Sequence, residues 1–122
     1  MKILIVDDSE AEIQRLKSIV ERAGHTVSVA RNGEEAVACA QQSPDMIFMD
    51  VVMPIMDGFK ATRIIKKDPN TQHIPVVLVS TKSQAVDVEW ARRQGASHLV
   101  AKPYAPADIL HQLALHSFGE KA

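Results

Sequence analysis

The chain has 122 residues, 46% of them hydrophobic, and a formal net charge of −1 at pH 7. The length predicts one domain, and the near-neutral charge excludes a general electrostatic affinity for nucleic acid or anionic membranes. The single cysteine, Cys39, excludes an intrachain disulfide and is interpreted as a small buried hydrophobe. No apolar run approaches the ~18 residues of a membrane span, and the first residues lead into a strand rather than a signal peptide. We therefore expect a soluble, cytoplasmic protein without membrane insertion.

Five short apolar runs alternate with stretches of helical period along the chain. The runs are residues 3–6, 26–30, 46–49, 76–79 and 98–101. At least four of them are too continuously apolar for a sheet with one wet face, which indicates a parallel sheet covered by helices on both sides. Five β-α units with short connections predict an α/β fold with an open, doubly wound (βα)5 sheet rather than a closed barrel.

Helix signals follow each run. The predicted N-caps of the first three helices are Ser9, Asn32 and Asp57. Ser9 and Glu12 are expected to cap each other reciprocally as a capping box. The fourth helix is predicted over residues 84–94, where Trp90 is either a core residue or a partner-binding anchor.

The fifth helix is predicted to begin at Pro106, which suits a first helical turn. Its apolar residues are expected to face inward: Ile109, Leu110, Leu113 and Ala114. Residues 1–118 are expected to form the domain, and residues 119–122 are expected to be a frayed tail.

Acidic residues follow two of the predicted strands. Asp7 and Asp8 come directly after residues 3–6, and Asp50 comes directly after residues 46–49. Ligands of doubly wound sheets bind outside the carboxyl ends of the strands. Crowded carboxylates repel one another unless a cation joins them, and an oxygen-only donor set suits a hard cation such as Mg²⁺. The sequence therefore predicts a magnesium site at this edge.

Ser80 and Lys102 also follow predicted strands, and their chemistry suits a phosphoryl group. A nucleotide site is not expected, because neither G-x-G-x-x-G nor G-x-x-x-x-G-K occurs. A carboxylate can attack phosphorus and form an acyl phosphate, and phosphoryl transfer mainly needs positioning and charge neutralisation. Asp50, alone at its strand end, is better placed as the nucleophile than the adjacent Asp7 and Asp8.

Four motifs together resemble the receiver domain of two-component response regulators, over essentially the whole chain. They are Val6-Asp7-Asp8-Ser9, the run MDVVMPIMDG at residues 49–58, the Ser80 strand end and Lys102-Pro103. The resemblance implies the flavodoxin-like strand order 2-1-3-4-5 and a histidine kinase as the phosphodonor. It also implies a downstream protein that binds the α4-β5-α5 surface, which is made of the fourth helix, fifth strand and fifth helix.

The resemblance further implies roles for individual residues. Asp50 resembles the phosphoacceptor of the family. The positions that resemble the magnesium ligands are Asp7, Asp8, Asp50 and the backbone carbonyl of Val52. Ser80 matches the switch hydroxyl, and Lys102 matches the family's lysine, whose bond to Pro103 is expected to be cis.

The sequence departs from the family pattern at two positions. The family usually has an aromatic residue three positions before the lysine, where this chain has Leu99; Tyr104 offers a different aromatic side chain. Val52 lies two residues after Asp50 and cannot hydrogen-bond an attacking water, while Lys82, two after Ser80, is the other position that tunes dephosphorylation. We therefore expect a comparatively long-lived acyl phosphate.

A narrower resemblance concerns residues 80–84 (STKSQ) through residues 90–96 (WARRQGA), which look like stand-alone receivers of type IV pilus, twitching-motility chemosensory systems. We expect a single-domain regulator, not an enzyme, with no DNA-binding or enzymatic output domain attached. The alternatives are a phosphate-sink receiver, a receiver fragment of a larger DNA-binding regulator, and an aspartate-nucleophile phosphatase. Such a phosphatase generally needs a second acid where this chain has Val52.

Overall fold

A computed structural model describes residues 1–117, in which five strands alternate with five helices. The strands are β1 (Lys2–Val6), β2 (Thr26–Ala30), β3 (Met46–Asp50), β4 (Val76–Ser80) and β5 (His98–Ala101). The helices are α1 (Glu10–Arg22), α2 (Gly33–Ala40), α3 (Gly58–Lys67), α4 (Ala85–Gln94) and α5 (Pro106–Leu115). The tail predicted at residues 119–122 lies outside the described residues. No helix within residues 1–117 has the length and apolarity needed to cross a membrane.

The five strands form one parallel sheet in the order β2-β1-β3-β4-β5. This confirms the predicted doubly wound, flavodoxin-like fold. The central strands β1, β3 and β4 are buried almost throughout, whereas β2 at the edge alternates between exposed and partly buried residues. Continuous apolar sequence follows from burial on both faces, because successive strand residues point to opposite sides.

Two hydrophobic cores lie on the two faces of the sheet. One contains Leu4, Ile47 and Leu78, and residues of α2, α3 and α4 pack against it. The other contains Ile5 and Phe48, covered by residues of α1 and α5. Full burial of such a side chain contributes about 1.5–3 kcal/mol. The two cores therefore hold the central strands, and with them the strand ends, in fixed positions.

The predicted N-caps hold, but the first capping box is only half formed. Asn32 and Asp57 accept hydrogen bonds from the first turns of their helices at 2.9 and 2.8 Å, and Ser9 Oγ accepts one from Glu12 N at 3.4 Å. The Ser9 N–H donates to Asp7 Oδ1 at 2.9 Å, so the reciprocal bond to Glu12 predicted from the sequence is wrong. An aspartate two residues upstream competes for this N–H because the local turn brings it close.

The inward face predicted for α5 is partly wrong. Ile109 and Leu113 are buried as expected, whereas Leu110 is 44% exposed and Ala114 is also exposed. The polar Gln112 is buried instead. The helical period places residues 109, 112 and 113 on one face, and docking on the sheet selects that face over its neighbour.

The fourth helix packs against the domain through few side chains. Only Ala91 and Gln94 of α4 are buried, and Trp90 is 46% exposed, so Trp90 is not a core residue. Leu99 on the neighbouring strand β5 is 7% exposed and belongs to the core. Val86 and Val88 of α4 are 71% and 46% exposed, so several apolar residues of this helix do not contribute to the core.

Candidate functional site

Three carboxylates meet at the carboxyl edge of the sheet. Asp7 and Asp8 directly follow β1, and Asp50 is the last residue of β3. The two strands are neighbours, with Val6 opposite Met49. One oxygen from each aspartate lies within 4.8 Å of the others. The sequence-predicted cluster is therefore brought together, and its hard oxygen donors fit Mg²⁺.

The three carboxylates of the cluster differ in exposure to solvent. The side chains of Asp7 and Asp50 are 8% and 13% exposed, whereas Asp8 is exposed to solvent. A cation can therefore reach the cluster from the side of Asp8. The buried pair lies deeper, where the lower dielectric strengthens its interaction with any cation.

Lys102 supplies the positive charge of the site. Its ammonium group lies 3.0 Å from Asp7 Oδ2, 3.6 Å from Asp50 Oδ1 and 3.9 Å from Glu12 Oε2. The lysine side chain is only 14% exposed, so these charges interact with little screening. Burial alone would lower the pKa of Lys102, but the Asp7 hydrogen bond and the Asp50 charge outweigh it and raise the pKa. The lysine is therefore a permanent cation at neutral pH.

Sequence reasoning did not include Glu12 in the site. Its carboxylate is near Lys102 although 90 residues separate them in the chain. The capping-box pattern predicted that the Glu12 side chain accepts a hydrogen bond from the Ser9 N–H. Asp7, two residues before Ser9 in the sequence, is the alternative acceptor and takes this hydrogen bond. Glu12 is free to face the lysine because Asp7 accepts the Ser9 hydrogen bond.

Asp7 and Asp50 differ in how their oxygens are engaged. Asp7 accepts hydrogen bonds at both, from Ser9 N to Oδ1 at 2.9 Å and from Lys102 Nζ to Oδ2 at 3.0 Å. Asp50 Oδ1 accepts from the N–H of Val51 at 2.8 Å. Asp50 Oδ2 accepts no hydrogen bond from residues 1–117, which leaves this oxygen available to a reacting group.

The electrostatic environment of Asp50 disfavours its charge. Burial raises the pKa of Asp50, and the neighbouring charges of Asp7 and Asp8 raise it further, against the attraction of Lys102 and the Val51 hydrogen bond. A cation that approaches such a carboxylate stabilises its ionised form. The same cluster is therefore electrostatically prepared both for a metal ion and for a reaction partner.

Ser80 lies between the strand ends that carry Asp50 and Lys102. Asp50 is opposite Val79 in the sheet, and Ser80 is the next residue. The Ser80 side chain is fully buried, and its Oγ accepts a hydrogen bond from Lys82 N at 2.9 Å. Its carbonyl accepts from Lys102 N at 2.9 Å, and the Lys102–Pro103 peptide is cis, as predicted. These backbone contacts hold Ser80 and Lys102 next to each other.

The loop after β3 is folded tightly against the phosphoacceptor candidate. Gly58 N donates to Val51 O at 2.8 Å, and a Cβ on Gly58 would overlap the carbonyl oxygen of Asp50. Asp57 caps α3 at this point. Val52, in the same loop, has a 56% exposed side chain. Only glycine permits this close approach, so the position of α3 depends directly on the Asp50 backbone.

The fold and the strand-end groups define a class of protein, the receiver domain. The sequence matches the response regulator receiver domain family over residues 3–114. The chain belongs to this family, as the motifs predicted.

Individual relatives agree with this assignment. The chain is 48% identical over 110 residues to Protein PilH of Pseudomonas aeruginosa, a match that covers 89% of this chain and 91% of PilH. The chemotaxis response regulator CheY4 of Vibrio cholerae has the same fold, with a TM-score of 0.86, 30% identity and coverage of 93% and 96% of the two chains. The receiver domain of the P. aeruginosa sensor histidine kinase PA1611 was solved with a magnesium ion in its active-site cleft; it matches with a TM-score of 0.87, 27% identity and coverage of 94% and 95%.

Proposed function

We propose that this chain is a single-domain response regulator that accepts a phosphoryl group from a histidine kinase on Asp50 in a Mg²⁺-dependent reaction. The observation that carries the proposal is the convergence of Asp7, Asp8, Asp50 and Lys102 at one sheet edge. The family membership of the chain supports it. The modified protein then signals by binding another protein.

Each residue of the site has a distinct part in this reaction. Asp50 is the nucleophile, since its Oδ2 is unengaged and can form a bond to phosphorus as the bond to the kinase histidine breaks. Asp7, Asp8, Asp50 and the backbone carbonyl of Val52 would hold Mg²⁺, which neutralises charge on one phosphoryl oxygen. Lys102 approaches a second oxygen and the Ser80 hydroxyl donates to a third.

The contact between Lys102 and Asp50 supports the charge part of this mechanism. The Lys102 ammonium group lies 3.6 Å from Asp50 Oδ1, close enough to move toward negative charge added at Asp50. A phosphoryl group adds negative charge at that position and competes with Asp7 for the lysine. The backbone N–H of Lys102 donates to the carbonyl of Ser80 at 2.9 Å. A movement of one residue is therefore transmitted to the other.

Phosphotransfer profiling tests the proposal. Purified chain is incubated with candidate histidine kinases carrying labelled phosphohistidine, in parallel with Asp50→Ala and with Asp45→Ala as a control. Asp45 precedes β3 at the opposite edge of the sheet, where it accepts from Lys2 N. Label should appear on the wild type and on Asp45→Ala and be absent from Asp50→Ala. Label that remains on Asp50→Ala would contradict the assignment of Asp50 as the phosphoacceptor.

We propose that the chain acts in the cytoplasm, in a type IV pilus or related chemotaxis-like motility pathway. The 48% identity to PilH supports this pathway. The binding surface for the target is α4-β5-α5, where Val88 of α4 is 46% exposed. Val86 and Trp90 of the same helix are 71% and 46% exposed, and they line a groove with Phe59 of α3. Exposed apolar residues of this size are suited to a protein interface. A target that binds equally well with and without phosphorylation of the chain would contradict this part.

We propose no enzymatic turnover on small substrates. Val52 occupies the position where an aspartate-nucleophile phosphatase generally has a second acid, and its side chain offers no proton donor or acceptor. Incubation with a phosphomonoester distinguishes the two classes of protein. A receiver carries at most one phosphoryl group per chain at a time and releases phosphate no faster than this group hydrolyses, whereas rapid steady release of phosphate over many turnovers would establish the phosphatase.

A further inference from the structure

Tyr104 presents a buried hydroxyl group next to the site. The residue is 4% exposed, and its hydroxyl has no hydrogen-bond partner within residues 1–117. The ring is held firmly, because Arg15 lies 4.8 Å from the ring centroid and donates to the Tyr104 carbonyl at 3.0 Å. A buried hydroxyl normally has a partner, so this one calls for an explanation.

A cavity of about 10 Å³ lies behind the site. Its polar lining residues are Asp7, Glu12, Asp50, Lys102 and Tyr104. This volume is at the lower limit for one water molecule, which needs two or more polar partners. Burial and the Glu12 charge also raise the pKa of Tyr104 to about 12, so the hydroxyl stays protonated and acts as a donor.

The acceptors around this cavity are not equally available. Both oxygens of Asp7 already accept hydrogen bonds, from Ser9 and Lys102. The Glu12 carboxylate accepts no hydrogen bond from residues 1–117 and lies 3.9 Å from the Lys102 ammonium. Two acceptors in this cavity are therefore free, Glu12 and Asp50 Oδ2. Asp50 Oδ2 is the oxygen proposed to take the phosphoryl group, which leaves Glu12 for a donor.

We propose that Tyr104 is a positioning residue for Lys102: its hydroxyl donates, through one water molecule, to the carboxylate of Glu12. This hydrogen bond reduces the attraction of Glu12 for the ammonium group. The Lys102 ammonium group then interacts mainly with Asp7 and with the phosphoryl group on Asp50. The inference rests on the proposed function and deepens it by assigning two residues that tune the reaction.

The first experiment measures phosphorylation by acetyl phosphate and Mg²⁺ in Tyr104→Phe, Glu12→Gln and the double variant. Tyr104→Phe should react about three- to tenfold more slowly than the wild type, the usual weight of one hydrogen bond. In the Glu12→Gln background the same change should have little further effect, because the shared partner has lost its charge. Gln112→Met is the matched control, since Gln112 Oε1 is the other buried side-chain atom without a partner in residues 1–117, and its rate should equal that of the wild type.

The second experiment observes Tyr104 directly. Tyr104 is the only tyrosine of the chain, so ¹³Cζ-tyrosine labelling gives one NMR signal. Beryllofluoride with Mg²⁺, which mimics the phosphoryl group, should shift this signal in the wild type and shift it much less in Glu12→Gln, whereas a tyrosine that only fills the core would respond equally in both.

A Tyr104 signal that is unchanged or shifts equally in the wild type and Glu12→Gln, together with wild-type rates in Tyr104→Phe, or equal effects of Tyr104→Phe with and without Glu12→Gln, would overturn the inference alone. If wild-type chain accepts no phosphoryl group on Asp50, the proposed function itself fails. The two failures are therefore told apart by the wild-type reaction.

Discussion

The ammonium group of Lys102 is closer to Asp7, at 3.0 Å, than to Asp50, at 3.6 Å. The lysine therefore has its strongest contact with an aspartate proposed to hold the metal, and Asp50 is neutralised less completely. This asymmetry agrees with the raised pKa of Asp50. It also leaves the proposed nucleophile, Asp50, with negative charge that can attract a cation.

Asp50→Asn should stabilise the metal-free protein at neutral pH. Burial raises the pKa of Asp50 above its ordinary value of 3.8, so the folded state binds this proton more tightly than the unfolded state. Stability from this group is present below pH 3.8 and lost as pH rises through the raised pKa. The variant should gain about 0.5–2 kcal/mol at pH 7, measured by urea unfolding with a chelator present, and the gain should disappear in acid. Asp45→Asn, at the opposite edge of the sheet, is the control; a less stable Asp50→Asn at pH 7 would contradict this account.

Asp8→Asn should weaken magnesium binding. Asp8 contributes one of the three converging carboxylates, and loss of its charge removes a preferred ligand. We expect the dissociation constant to rise by about tenfold or more, measured by isothermal titration calorimetry. Asp57→Asn is the matched control, because asparagine keeps the helix cap of α3. Equal affinities for the Asp8 and Asp57 variants would exclude Asp8 from the metal site.

Gly58→Ala should destabilise the fold by about 2–3 kcal/mol. The added Cβ overlaps the Asp50 carbonyl oxygen, so the loop after β3 or the start of α3 must move. Lys60→Ala, two residues further along the same helix and exposed, should leave the free energy of unfolding nearly unchanged. Chemical denaturation of both variants measures the difference. A stability equal to that of the Lys60 variant would show that the contact is not tight.

Val52→Asn should shorten the lifetime of the phosphorylated state. The exposed Val52 side chain cannot orient a water molecule, whereas an amide can hydrogen-bond one beside Asp50. A decrease in half-life of about three- to tenfold is expected, followed by loss of label from purified phosphoprotein. Ile55→Asn is the control, since Ile55 lies in the same loop, is 75% exposed and has a φ of 71°, which asparagine tolerates. A half-life that changes equally in both variants would point to the loop rather than to Val52.

The single tyrosine should titrate far above its ordinary range. Burial and the charge of Glu12 raise the pKa of Tyr104 from 10.0 to about 12. The unfolded chain ionises first on raising the pH, so the tyrosine's contribution to stability falls between these values. Near-ultraviolet absorbance should give a midpoint near 12 in the folded protein and near 10 in urea, with no transition in Tyr104→Phe. A folded midpoint near 10 would show that the hydroxyl is open to water.

The sequence predicted the strands well because the central ones are buried on both faces, and such burial leaves a continuous apolar run. It predicted the meeting of Asp7, Asp8 and Asp50 because parallel strands end at one edge. The strand order came from the family resemblance, since short apolar runs do not specify which strands are neighbours.

Local patterns failed where a distant residue decides the outcome. The environment of Glu12 is set by Lys102, 90 residues away, and no capping rule contains that contact. The exposure of Leu110 depends on how α5 rotates on the sheet, and both faces of that helix offered apolar residues. Long-range packing decides which face of a helix is buried, and the hydrophobic periodicity of the local sequence does not contain that information.

The sparse packing of α4 has a consequence for cooperativity. This helix buries only Ala91 and Gln94, whereas α1 buries Ile13, Leu16 and Val20. A segment with so little buried apolar surface opens at a lower free energy than the rest of the domain. Amide hydrogens of α4 should therefore exchange faster than those of β1 and β3, which lie in the buried centre of the sheet. Sparse burial makes α4 the helix whose opening should cost the domain less free energy than the opening of α1.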